Sequence, residues 1–260
     1  MKPEDLTGIP FLSCVEHYFL AWLKKTEDIR PLFVGSFAEA EAIARYFAAG
    51  GTYAAYDGIE RLQDISERLG VTAHCRSGSP PRGDEPLALM RVNLSFFTGA
   101  LLPWREDHFV AVERCGEGFR FINQYPLSEG FLTEAELKER FGGVSLFFRV
   151  CGAPDRRAYA AERERALERM RKTPDMRRMD ALEGRALRDA VGVLRVSRAR
   201  VLQWLSAEGY GAPSPLREEI DLLDALYFRL EAARLRNKSV RFSEAERFAA
   251  LETEWRRKPG

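Results

Sequence analysis

Three observations predict an α+β fold with a separate helical end. Helical patterns dominate the first seventy residues, β-like runs crowd residues 86–151, and from about residue 153 the pattern is helical to the end. Residues 1–13, with Gly8 and Pro10, read as an irregular lead-in. Cys14–Lys24 (CVEHYFLAWLK) carries apolar residues at helical spacing, which puts Cys14 at a helix N-terminus. PLFVGS (31–36) reads as a short strand, and FAEAEAIARYFAAGG (37–51) as a helix stopped by glycines. GIERLQDISERLG (58–70) reads as an amphipathic helix ending at Gly70, and RSGSPPRGDEP (76–86) as loop.

Four β-like runs follow: PLALMRVNLSFF (86–97), HFVAVERC (108–115), FRFINQY (119–125) and VSLFFRVC (144–151). The turn signal GEG at 116–118 joins the middle pair into a hairpin. One helix, LTEAELKERFG (132–142), interrupts them, with Thr133 and Glu136 at capping-box spacing. Helices first and strands afterwards argue for α+β rather than alternating βαβ units.

Three helical stretches make up the remainder, separated by Thr173-Pro174 and by GYGAPSP at 209–215. The first, RRAYAAERERALERMRK, keeps only a narrow apolar stripe and reads as a connecting helix. GAPD at 152–155 marks the boundary, giving domains 1–152 and 153–260. RALRDAVGVLRVSRARVLQWLSAEG carries a faint helix-turn-helix pattern with arginines on its second helix. The tract between the two helices is longer than a three- or four-residue turn, so no nucleic-acid partner is expected.

With 260 residues, 45% of them apolar, the chain is globular. Its formal charge of +1 hides a split: 16 Lys and Arg against 21 Asp and Glu in residues 1–150, then 24 against 18. A basic helical half suits an acidic partner, with Arg195, Arg198 and Arg200 as the candidate docking cluster. MKPEDLTGIP lacks the features of a secretory signal, and no apolar run approaches a membrane span. The expectation is a cytoplasmic protein without a membrane partner. The four cysteines are scattered, with no C-x-x-C, and read as free thiols.

A cysteine nucleophile needs a base within hydrogen-bond reach and a group that fixes the base's tautomer. Cys14, at a helix start, sits where free N–H groups favour a thiolate. His108 opens a strand, and Asn123 ends the next one, across a hairpin from it. Asn123 can hold the imidazole by its second nitrogen, and Gln124 replaces it if the register slips by one. His17, Gln124 and Trp104, the last in LPWRED before His108, are candidates for substrate contact. Glu106 and Asp107 flank the base and can raise its pKa. Cys75 reads as a surface thiol, Cys115 and Cys151 as structural thiols at strand ends. His17 with His74 and Cys75 does not match the usual zinc spacing, so neither metal nor other cofactor is expected.

An early Cys on a helix, a His starting a strand, then an Asn about fifteen residues later with a Pro close behind resembles papain-like cysteine enzymes related to bacteriocin-leader peptidases. FLSCVEHYFLAWL with DHFVAVERCGEGFRFINQYP is similar to the N-terminal domain of the BtrH-like acyltransferases over roughly residues 10–150. That resemblance implies a papain-like domain in which Cys14 takes an acyl group from an acyl or peptidyl carrier-protein thioester. It also implies delivery of that group to a small amine acceptor in peptide or polyketide natural-product biosynthesis. Many papain-like enzymes carry an oxyanion-binding Gln about six residues before the nucleophile; here that position is Gly8. The alternatives are a cysteine peptidase, amidase or thioester hydrolase using the same triad, and a catalytically degenerate binding protein.

Overall fold

The Val-, Leu- and Phe-rich runs between residues 71 and 150 assemble into one six-stranded, wholly antiparallel sheet. It is seen in a computed structural model that describes residues 1–36, 40–52, 70–93, 108–125, 127–153, 155–172 and 176–257. The strands are β1 (Val71–Ser77), β2 (Leu87–Val92), β3 (His108–Cys115), β4 (Gly118–Gln124), β5 (Leu127–Leu132) and β6 (Phe141–Val150). Their spatial order is β1-β6-β2-β3-β4-β5. Gly116 adopts φ +61° in the two-residue β3–β4 turn, the positive angle that the first position of a type II′ turn requires. At the opposite corner Gly70 has φ +66°, and its carbonyl accepts from the amides of Cys151 and Gly152. A Cβ there would lie 2.5 Å from the Gly152 backbone, so only glycine fits.

The chain divides into two compact units. The first combines Met1–Glu27 with Ile59–Asp155 and holds the sheet with α1 (Cys14–Leu23) and α3 (Glu134–Arg140). Met90 stands opposite Ser145 and Leu87 opposite Phe148, so strand alternation places Met90 and Phe148 on opposite faces. Phe148 meets Phe19 of α1, their ring centroids 5.0 Å apart. Met90, Val110, Val112, Phe119 and Leu132 enclose Leu137 of α3. Leu87, Ala88, Leu89 and Met90 are consecutively buried because β2 is covered on both faces. The Thr133–Glu136 capping box forms as the sequence predicts.

The second unit joins Asp28–Gly58 to Arg156–Gly260. Sequence order had assigned residues 28–58 to the first domain. They belong instead with α2 (Ala40–Ala48), whose buried Ile43, Ala44 and Phe47 pack on α5 (Gly184–Ala207). PLFVGS is not a strand: Arg30–Ser36 form a 3-10 helix, because its apolar run serves tertiary packing of buried Phe33 and Val34. α4 (Arg156–Met170), α6 (Ser214–Leu235) and α7 (Ala245–Arg256) complete the unit. α6 ends where Asn237 takes φ 51°, and the amides of Asn237 and Lys238 bond back to Arg234 and Ala233, a Schellman cap.

One expectation for this unit is upheld, the rejection of a helix-turn-helix, and one is corrected. The faint helix-turn-helix is one continuous 24-residue helix, α5. Its arginines do not form a solvated docking cluster either. Arg198 is 0% exposed, with Nε 2.8 Å from Glu219 and a terminal nitrogen 2.7 Å from Glu252. Trp255 donates to the other Glu219 oxygen at 2.5 Å, and Arg256 also donates to Glu252. Arg200 is buried beside the Phe33 ring, and Arg195 pairs with Asp224 at 3.0 Å. Burial raises the Glu219 pKa, as does the Glu252 charge, against the pull of Arg198.

Removing one partner of such a buried network leaves charge stranded, so Arg198→Ala should cost about 3–5 kcal/mol in denaturant unfolding. Without the guanidinium the Glu219 carboxyl, already raised by burial, titrates further above its unfolded value, so the deficit should widen as pH rises from 5 to 8. A loss under about 1 kcal/mol, or one independent of pH, would show that the network contributes little.

Candidate active site

Ser13 begins the site. Its hydroxyl accepts from the Glu16 amide at 3.2 Å, and the Glu16 carboxylate accepts from the Leu12 amide at 2.8 Å. Both bonds satisfy donors at the helix start and fix the chain on either side of Cys14, the first residue of α1. Cys14 is half-buried, whereas Cys75, Cys115 and Cys151 are exposed. The expectation of structural thiols at Cys115 and Cys151 is thereby corrected: Cys115 ends β3, Cys151 follows β6, and both are exposed.

His108 is the first residue of β3, and Asn123 lies one residue before the end of β4. The His108 Nε2 lies 2.7 Å from the Asn123 Oδ1, while the Asn123 Nδ2 donates to the Tyr125 carbonyl at 3.1 Å. With its carbonyl oxygen accepting, Asn123 holds the proton on Nε2 and leaves the lone pair on Nδ1. Asn123 is 1% exposed, so its amide is fixed by packing as well as by these bonds. Burial lowers the His108 pKa, and the Asn123 bond opposes that shift. The imidazole is therefore neutral near pH 7, the form that accepts a proton.

The two expected orienters separate cleanly. Asn123 takes His108, and the Gln124 Oε1 lies 2.5 Å from the Nδ1 of His17. His17 is 5% exposed, its Nε2 bonds the Leu6 carbonyl at 2.6 Å, and its ring stacks on Phe11 at 3.8 Å. The expectation that His17 meets substrate is corrected by this burial, since both ring nitrogens are engaged inside the protein. Burial lowers its pKa too, against the bonds to Gln124 and Leu6 and the charge of Glu16. Trp104, Glu106 and Asp107 lie outside the described residues, as do residues 58–69 and 94–97 of the expected helix and strand. Among the described residues no three His, Cys, Asp or Glu side chains group as a metal site, and no helix is long and apolar enough to cross a membrane.

Tyr18 is the residue that sequence reasoning missed. The β3–β4 register runs from Cys115↔Gly118 to Ala111↔Ile122. At that limit the Tyr18 hydroxyl donates to the Ile122 carbonyl at 3.0 Å and accepts from the Gln124 amide at 2.8 Å. Its spacing of four from Cys14, on one helix face, was the available signal. The Ser13-x-x-Glu16 capping pattern was likewise present. No family model, curated protein or solved structure matches the chain.

Two outcomes follow from these environments. At pH 6, where an ordinary thiol of pKa about 8.5 is less than about 1% ionised, iodoacetamide should label Cys14 ahead of the three exposed cysteines. Peptide mapping that finds Cys75 labelled first would remove the activated-thiol assignment. His17, buried, and His108, half-buried, both take up protons later in the folded than in the unfolded chain, so the unfolded state binds more protons below about pH 6.5. Stability should therefore fall as pH drops from about 7 to 5, read from urea midpoints, and a flat profile would contradict the lowered pKa of the two rings.

Proposed function

We propose that the chain is a cysteine-dependent acyltransferase with Cys14 as nucleophile, His108 as base and Asn123 as the residue that orients it. The observation that carries this reading is the 2.7 Å bond between His108 and buried Asn123, in a unit where α1, headed by Cys14, packs against β3. In the proposed cycle Nδ1 of His108 takes the thiol proton, and the thiolate attacks the carbonyl carbon of a carrier-protein thioester. The tetrahedral adduct collapses, expelling the carrier thiolate, which takes the proton from Nδ1. A small amine then attacks the Cys14 thioester, gives its proton to Nδ1 and leaves as the amide, and the Cys14 thiolate is reprotonated. The partial positive charge of the α1 N-terminus favours both the thiolate and the developing oxyanion.

Hydrolysis by the same residues is the second reading, favoured by the partial exposure of Cys14. Water that reaches an acyl-enzyme competes with the amine.

Incubation with an acyl-pantetheine thioester should add one acyl mass to the intact protein, mapped to Cys14 and absent in Cys14→Ala. Asn123→Ala should slow that acylation by about 10- to 100-fold without abolishing it, because the imidazole loses its orientation and not its presence. Adduct mapped to another cysteine, or formed equally in Cys14→Ala, would overturn the reading. Release as amide on adding an amine identifies a transferase, and release as free acid regardless of amine identifies a hydrolase.

A further inference from the structure

The Tyr18 hydroxyl makes two backbone bonds that bracket Asn123. It donates to the carbonyl of the residue before it, Ile122, and accepts from the amide of the residue after it, Gln124. Tyr18 is fully buried and stands one helical turn beyond Cys14. A single oxygen therefore connects the helix that begins with the proposed nucleophile to the strand that carries the proposed orienter. We infer that Tyr18 is a positioning residue, setting the spacing between the Cys14 end of α1 and the His108–Asn123 pair. This inference rests on the triad reading given above.

Apolar packing alone does not supply that spacing. Phe19 against Phe148 holds α1 on the sheet, yet dispersion contacts are non-directional and tolerate sliding. Hydrogen bonds to two fixed backbone groups on one strand do not. The Tyr18 hydroxyl is also held in its neutral form: burial, and after it the charge of Cys14, push its pKa far above the ordinary phenol value. Nearby Cys14 charge places the hydroxyl in the electrostatic surroundings of the thiol. His17 supports the same junction through the Gln124 side chain but reaches no backbone group of β4.

The test compares the pH profile of Cys14 alkylation in four proteins: wild type, Tyr18→Phe, His108→Ala and Ser145→Ala. Ser145 is the control, since its buried hydroxyl also bonds a backbone carbonyl, that of Ser79 at 3.0 Å, in the same unit. A positioning role predicts that Tyr18→Phe moves the acid limb of the profile upward, toward His108→Ala. Each unit of that movement lowers alkylation at pH 6 by about tenfold. Ser145→Ala should superimpose on wild type at comparable thermal destabilisation. If Tyr18→Phe also superimposes on wild type while His108→Ala shifts, the triad stands and the positioning role falls. If wild type and His108→Ala coincide, the triad reading itself is wrong, and this inference falls with it. Amide exchange of Gln124 in the wild-type protein serves should Tyr18→Phe not fold. Protection is expected from its bond to the Tyr18 hydroxyl, and exchange at the rate of an exposed amide would overturn the inference.

Discussion

A backbone carbonyl or amide taken out of water must be paired, and the end of β4 is where that constraint governs this molecule. At the limit of the described pairing with β3, the Ile122 carbonyl and the Gln124 amide both bond a helix side chain, the Tyr18 hydroxyl. α1 is thereby held by direction as well as by apolar contact. The lead-in follows, because His17 on the same helix fastens the Leu6 carbonyl. Leu6 and the helix carrying Cys14 and Tyr18 are placed against the strand of distant Asn123 by one set of hydrogen-bond obligations.

The helical unit solves a different version of the same problem with charge. Arg198, Glu219 and Glu252 are fully buried, and Trp255 and Arg256 supply further donors. Such a network adds little net stability over an apolar replacement, yet it is costly to leave incomplete. Its geometry requires α5, α6 and α7 to meet in one alignment, since Arg198 of α5 bonds Glu219 of α6 and Glu252 of α7 at once. The basic excess of this half of the chain is thus partly internal and gives a poor measure of its surface.

The legible parts of the fold share one property, a strong apolar period. α1, β2, β3, β4 and β6 are central or core-facing, and each stands within a few residues of its expected place. The two strands that sequence reasoning left out, β1 and β5, are the two edges of the sheet. VTAHCRS and LSEGFL face solvent over most of their length, so they carry polar residues and a glycine where interior strands carry Val and Phe. The break after α6 was missed because an Asn rather than a Gly forms its cap. In the site, the His108–Asn123 pair was readable from hairpin spacing. The burial of His17 and Arg198 was not, because their partners lie between 11 and 107 residues away and no local pattern marks them.

Residues 28–58 leave the first unit after α1 and return before the sheet begins, so each unit is assembled from two separate stretches of chain. Neither can be obtained by cutting the gene once. During synthesis the buried face of α2, Ile43, Ala44 and Phe47, leaves the ribosome well before its partner helix, α5, which starts at Gly184. At roughly 5–20 residues per second that face waits on the order of ten seconds with nothing to cover it. The interval spans emergence of the whole sheet, so the sheet-bearing half of the chain completes its own hydrogen-bonded ladder while carrying an unfinished piece of its neighbour. Nascent-chain aggregation and chaperone demand would concentrate in that window, and the order of the genetic text, more than the final stability, sets how long it lasts.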